Sequence, residues 1–289
     1  MAKIVKISNK SVGDGEPIFV TAEIGINHNG DLAIAKKLID VAVGAGADAV
    51  KFQKRTVDAV YGPEELARPR ENPFGSTNGD LKRGLEFGQA EYEAIYEYCK
   101  ARGIVCFASC WDEGSVDFME QFNPPCYKIA SASLTDDDLL KHVRSKSKPI
   151  IMSTGMSTIE EVDHALEVLG REDLVILHTN STYPSDLNEL NLRVIKTFKE
   201  RYPDLPVGYS GHEVNPAPSV MAAVFGACAI ERHITLDRAM WGSDQAASLE
   251  PKGFQLVVRD IRVWEKARGD GVKRLYDSEI PIKEKLRRK

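Results

Sequence analysis

Ionisable residues interrupt several runs of this sequence that are otherwise apolar: Glu23 in IFVTAEIG, Lys51 in AVKFQ, Lys128 in CYKIAS, His212 after VGYSG, and Glu231 with His233 in AIERHIT. A charge left unpaired among apolar side chains costs several kcal/mol and usually shifts its pKa instead. Such residues must therefore find partners or meet a ligand. Imidazoles from adjacent strand ends could share a divalent metal ion, with Glu23 or water completing the shell. Two lysines among the hydroxyls of Ser109, Ser131, Ser153, Thr154, Ser181 and Ser210 suit a small ligand carrying a phosphate and a carboxylate. Ammonium groups act as point charges for such anions. A Schiff base between Lys51 or Lys128 and a carbonyl substrate is the lysine-only alternative.

The elements that must position these groups follow from periodicity. Short apolar or β-branched runs recur at 18–25, 49–53, 105–110, 126–131, 149–154, 175–180, 207–211 and 229–235, which makes eight strands. Helical spacing lies between most of them, as in Leu32, Ala35, Leu38, Ile39 and Ala42, or Val162, Ala165, Leu166 and Leu169. Ser157 with Glu160 reads as a capping box opening the second of these helices, and Gly46, Gly103 and Gly170 fall where helices should stop. Strictly alternating units of this number predict a (β/α)8 barrel, with a short β-hairpin in residues 1–17 plugging its bottom.

In such a barrel, reactive groups come from the C-terminal strand ends and the loops after them. Every predicted strand supplies at least one polar residue there, with Asn27, Gln53 and Asn180 joining those already named. Alternation of side chains along a strand sorts them further. Glu231 and His233 share one face, as do Lys51 and Gln53. Arg232, Phe52, Tyr127 and Ile129 turn toward the helices. His142 and His164 fall in predicted helices and receive no role.

The 289 residues are 43% hydrophobic and 28% charged, ordinary for a globular chain. A net charge of -5 provides no basic footprint for nucleic acid or an anionic membrane. No segment is long and apolar enough to span a bilayer, and the N-terminus carries no apolar signal region. Five cysteines, several inside apolar runs, predict reduced buried thiols in a cytoplasmic protein. We expect one domain over 1–289, with the barrel at 18–268 and a tail at 269–289. Residues 54–86 are polar and rich in Pro and Gly, and their place after the second strand predicts a loop covering a substrate.

The segments AEIGINHNGDLAIAKKLIDVAVGAGADAVKFQK, YKIASAS, PIIMSTGM, VGYSGH and IERHITLDRAMWGSDQAASLEP resemble the sialic acid (nonulosonic acid) synthase family. The resemblance runs from about residue 4 to residue 285. It implies a transferase that condenses phosphoenolpyruvate with N-acetylmannosamine, its 6-phosphate or a related hexose, releasing phosphate by C–O cleavage. It further implies that His212 and His233 bind Mn2+ or Mg2+, that Lys51, Lys128, Ser131, Ser153, Ser181 and Ser210 hold phosphoenolpyruvate, and that Gln53, Tyr183 and Asp244 contact the sugar. Ser109 joins the substrate-binding set, and Glu23 is expected beside the metal as an acid/base or water-orienting group. A homodimer is implied as well.

Three departures from the family pattern bear on these expectations. Ser133 stands where family members commonly carry an acidic residue, and Cys110 where many have Thr. After EIPIKEKLRRK the sequence given has no counterpart of the family's small antifreeze-like domain, which could be a separate polypeptide. A substrate without an N-acyl group, mannose or mannose 6-phosphate, is one alternative that this departure raises. A non-catalytic binder of phosphoenolpyruvate or sugar is another. A related synthase acting on arabinose 5-phosphate or erythrose 4-phosphate is a third, and the GINHNG and ERHIT motifs argue against it.

Overall fold

The computed structural model describes residues 3–288. Two short antiparallel strands, β1 (Val5–Ile7) and β2 (Lys10–Val12), precede β3 (Phe19–Gly25) and β4 (Ala49–Lys54). A second small hairpin, β5 (Pro69–Asn72) and β6 (Gly75–Thr77), lies within the long β4 to β7 connection. The remaining strands are β7 (Val105–Cys110), β8 (Tyr127–Ile129), β9 (Ile150–Ser153), β10 (Leu174–Thr179), β11 (Val207–Gly211) and β12 (Ala229–His233). Strands β3, β4, β7, β8, β9, β10, β11 and β12 pair in parallel and close on themselves, so the predicted (β/α)8 barrel is the fold.

The barrel strands are buried on both faces, and the two faces serve different cores. Side chains such as Val20, Phe52, Tyr127, Ile129 and Ile176 pack outward against the helices. Phe19, Ala49, Phe107, Ile151, Val175, Leu177 and Ala229 fill the barrel interior together with Val5, Ile7 and Val12 of the first hairpin. That hairpin thus closes the bottom with apolar atoms, leaving the polar end of the barrel opposite it. Asp48 fastens the arrangement, accepting from Val20 N–H at 2.9 Å, Lys10 Nζ at 2.8 Å and Arg262 Nη2 at 2.8 Å.

Local signals held with small shifts. Gly46 and Gly103 end their helices in the left-handed conformation, φ 83° and 68°, where a Cβ would be strained. Gly170 also closes its helix. The capping box before Ile159–Leu169 is formed by Thr158 and Glu161, one residue beyond the expected Ser157 and Glu160. Both registers satisfy the motif in STIEE, and Ser157 instead donates its hydroxyl to the Gly155 carbonyl. All five cysteines are free and buried. Among the described residues no helix is long and apolar enough to cross a membrane.

Residues 54–86 fold into Val57–Val60, Pro63–Ala67, the β5–β6 hairpin and Asn78–Leu85. Their polar groups satisfy one another, with Thr77 and Asp80 forming a capping box and Arg83 pairing with Asp58. Phe74 wedges over Gly84, where an added Cβ would lie 2.1 Å from its ring, and meets Trp241 edge to face. The expected cover is corrected accordingly: the segment braces the loop after β12 from the side.

Phe107 is fully buried in the interior layer. Phe107→Ala should lower stability by about 3–5 kcal/mol, read as a shift of the urea midpoint. A loss under about 1 kcal/mol would mean that the layer collapses freely into the space.

Candidate active site

At the C-terminal end of the barrel a cleft of about 580 Å3 is lined by residues from all eight barrel strands or the loops that follow them. Glu23, Lys51, Gln53, Ser109, Lys128, Ser131, Ser153, Ser181, Tyr183, Ser210, His212 and His233 all line it. Eleven of these were expected there from their places at the C-terminal strand ends, and Tyr183 from the family resemblance. Asp244 does not line the cleft, though its Oδ2 lies 3.9 Å from His233 Nδ1. None of residues 55–86 lines it either.

The floor is a buried charge cluster. Lys51 Nζ lies 3.0 Å from Glu23 Oε2 and 3.4 Å from Glu231 Oε1, and donates to Ser109 Oγ at 3.0 Å. Lys128 Nζ is 3.8 Å from the same Glu231 oxygen and donates to Ser153 Oγ at 2.6 Å. Ser210 Oγ donates to it as well, at 3.2 Å. Glu231, which the sequence reading faced inward without assigning it a task, is thus shared by two ammonium groups and a hydroxyl. Its register explains this: β12 lies between β11 and β3, with Glu231 opposite Ser210 and Thr21.

Burial and charge split the four titrating groups. Burial opposes ionisation of Glu231, but Lys128 and Lys51 more than offset it and bring its pKa down to about 2. Glu23 is pushed up to about 7 because burial outweighs its pairing with Lys51, and Glu231 nearby adds repulsion. For Lys51, burial is overcome by the two carboxylates and its pKa is raised. Lys128, with one more distant carboxylate, is brought down by burial to about 8. Near neutral pH the floor therefore holds two ammonium groups against one full carboxylate and a partly protonated one. The surplus is positive, as an anionic ligand requires.

Above the floor stand the imidazoles. Their ring centroids are 5.3 Å apart, and Tyr183 stacks on His212 at 4.1 Å. His212 Nδ1 lies 2.5 Å from the Asn180 carbonyl, which can only accept, so Nδ1 carries the proton and Nε2 presents a lone pair. Tyr183 Oη donates to that nitrogen at 2.9 Å. His233 Nδ1 is buried with no hydrogen-bond partner. Burial holds both rings near pKa 3, so both are neutral, the form that ligates metal ions. Among the described residues no three His, Cys, Asp or Glu side chains are grouped as a metal site. Two imidazoles could serve as the protein's share of a shell completed by substrate oxygens and water.

Glycine shapes one wall. A Cβ on Gly155 would fall 2.1 Å from Ser181 Oγ and 2.9 Å from Ser131 Oγ, so only glycine lets these hydroxyls converge. Gly155 N–H donates to Ser131 Oγ at 3.0 Å.

Other expected polar residues support the site from outside. Asn27 donates to the Ile234 carbonyl at 2.9 Å and to Ser248 Oγ at 2.7 Å, tying β3 to the segment after β12. Thr154 Oγ1 donates to the Leu177 carbonyl. Cys110 points into the strand-helix layer, its Sγ 3.6 Å from the Ser115 carbonyl, and Ser133 is buried away from the cleft. Sequence reasoning missed Trp111, Met156 and Thr179 as lining residues. Trp111 stacks under the Arg55 guanidinium at 4.5 Å, a contact with no sequence signature.

Replacing Glu231 by Ala leaves both ammonium groups with Glu23 as their one nearby carboxylate. We expect a loss of about 3–5 kcal/mol of stability, the usual consequence of breaking a buried pair from one side. Urea unfolding at pH 7 measures it, and a loss below about 1 kcal/mol would show that water already screens the cluster.

Comparison with known proteins gives a consistent picture. A family model described as NeuB family matches residues 38–273. The chain is 38% identical over 279 residues to N-acetylneuraminate-9-phosphate synthase of Homo sapiens, covering 95% of this chain and 78% of that one. It is 35% identical over 289 residues to N,N'-diacetyllegionaminic acid synthase of Legionella pneumophila, covering 96% and 81%. Among solved structures it matches N-acetylneuraminic acid (sialic acid) synthetase from Leptospira borgpetersenii, in complex with citrate, with TM-score 0.87, 29% identity and coverage of 100% and 99%.

Proposed function

The chain belongs to the NeuB family of sialic and nonulosonic acid synthases, and we propose that it condenses phosphoenolpyruvate with an open-chain hexose of the N-acetylmannosamine type. The observation that carries this reading is the cationic floor set directly beneath two neutral imidazoles. Lys51, Lys128, Ser109, Ser131, Ser153, Ser181 and Ser210 would hold the phosphate and carboxylate of phosphoenolpyruvate. Gln53, Tyr183 and Asp244 would contact the sugar. His212 and His233 would hold Mn2+ or Mg2+, which when bound supplies a Lewis acid for the aldehyde oxygen.

In the reaction, the C2–C3 π electrons of phosphoenolpyruvate form a bond from C3 to the aldehyde carbon, and the aldehyde oxygen takes a proton. The positive charge left at C2 is met by water, which gives up a proton. The resulting adduct collapses to a keto acid as the C–O bond to phosphate breaks. Glu23, held by Gln53 Nε2 at 2.9 Å and by Lys51, would carry those protons as the acid/base group. Holding both reactants against one rigid strand layer supplies much of the rate, since oriented encounter replaces a bimolecular search.

The reading is tested by phosphate release from phosphoenolpyruvate with Mn2+, comparing N-acetylmannosamine, its 6-phosphate, mannose and mannose 6-phosphate. Turnover that ceases with a chelator supports it, and the preferred sugar identifies the acceptor. Silence on all four, or a product trapped by borohydride on a lysine, would sink it. His233→Ala should remove turnover, and near-normal rates at trace metal would contradict its assignment.

Lys128 supplies a pH-dependent prediction. Its ammonium is present below about 8 and lost above, so phosphoenolpyruvate affinity in calorimetric titrations should weaken as pH rises through that value. Lys128→Met should bind on the order of 10- to 100-fold more weakly at pH 7 and show no such step. A wild-type affinity that stays flat across the window would exclude Lys128 from the anion site.

A further inference from the structure

We propose that Arg232 and Glu213, buried behind the cleft, are positioning residues that set the spacing of His212 and His233. The inference rests on the reading of those imidazoles as metal ligands. Both charged side chains are fully buried, yet neither touches the cleft. Arg232 Nη1 donates to Glu213 Oε1 at 2.7 Å, to Ser219 Oγ at 2.7 Å and to the Asn215 carbonyl at 3.3 Å. Its Nη2 donates to the Glu213 carbonyl. Tyr209 Oη donates to the second carboxylate oxygen at 2.8 Å.

Placement explains what this assembly does. Side chains alternate along an extended chain, so Arg232 lies back to back with Glu231 and His233, and Glu213 directly follows His212. The parallel register of β11 with β12 ends at Gly211 opposite Arg232. One step further the two imidazoles extend beyond that pairing, while His233 is still registered against Glu23 of β3. The ion pair supplies the missing bond between β11 and β12 where their backbone pairing stops. Glycine at 211 makes this possible, because a Cβ there would fall 2.5 Å from Glu213 Oε2 and 2.7 Å from the Tyr209 ring.

A buried pair of this kind contributes little net stability over neutral groups of similar volume. Its value lies in geometry, since partners outside the ligand shell orient ligands and their loss commonly lowers metal affinity 10- to 100-fold. The double variant Glu213→Gln/Arg232→Met removes both charges together, and Gly211→Ala displaces the carboxylate if the first does not fold. Two titrations decide: Mn2+ alone, followed by the resonance of the free ion, and phosphoenolpyruvate alone by calorimetry. We expect Mn2+ binding weakened roughly 10- to 100-fold and phosphoenolpyruvate binding weakened clearly less, because Lys51 and Lys128 hang from β4 and β8 and Ser210 alone of its expected ligands hangs from β11. Wild-type Mn2+ binding that persists unchanged in folded variants overturns the inference and leaves the metal reading standing. Equal weakening of both ligands shows a general structural role and also overturns it. A wild-type protein that binds no Mn2+ removes the metal reading and this inference with it.

Discussion

The whole upper half of the barrel is organised around one carboxylate. Glu231 is buried among Lys51, Lys128 and Ser210, and in a medium that screens poorly none of these groups can be changed alone. Four strands, β4, β8, β11 and β12, are committed to bringing those atoms within reach. The commitment fixes the height at which the apolar interior gives way to a polar cleft.

Below that level the molecule is conventional. The first hairpin and the inward side chains of the strands form an apolar plug, so among the described residues the C-terminal end is where a ligand can reach the charges. The plug and the charge layer are complementary. Excluding water from beneath strengthens every electrostatic interaction above, and the uneven distribution of carboxylates leaves Lys51 firmly protonated while Lys128 titrates near 8. One pair of lysines therefore offers two different kinds of cation.

A second buried pair, Arg232 with Glu213, lies on the other side of the same strands. Consecutive residues of β12 thus serve opposite layers, Glu231 the floor, Arg232 the backing and His233 the mouth. Three ionisable residues in a row are tolerable inside an apolar strand because each finds a separate environment.

How much of this was legible beforehand depends on the range of the interaction. Alternation along IERHIT and AVKFQ is local, so it assigned Glu231, His233, Lys51 and Gln53 to the interior and Arg232 and Phe52 to the outside, and eight repeats implied a closed barrel. Helix ends at Gly46 and Gly103 were equally local. Folding decided what depends on atoms distant in the chain. That Glu231 is shared by Lys51 and Lys128, that Arg232 meets Glu213, and that Trp111 lines the wall follow from strand register. That residues 55–86 brace the loop after β12 rests on a phenyl ring seated over Gly84 and against Trp241. Sequence determines which way a side chain faces because that is set by the residue's own backbone. Which group it faces, and hence its pKa and its chemistry, is set by the register of neighbouring strands, which exists only in three dimensions.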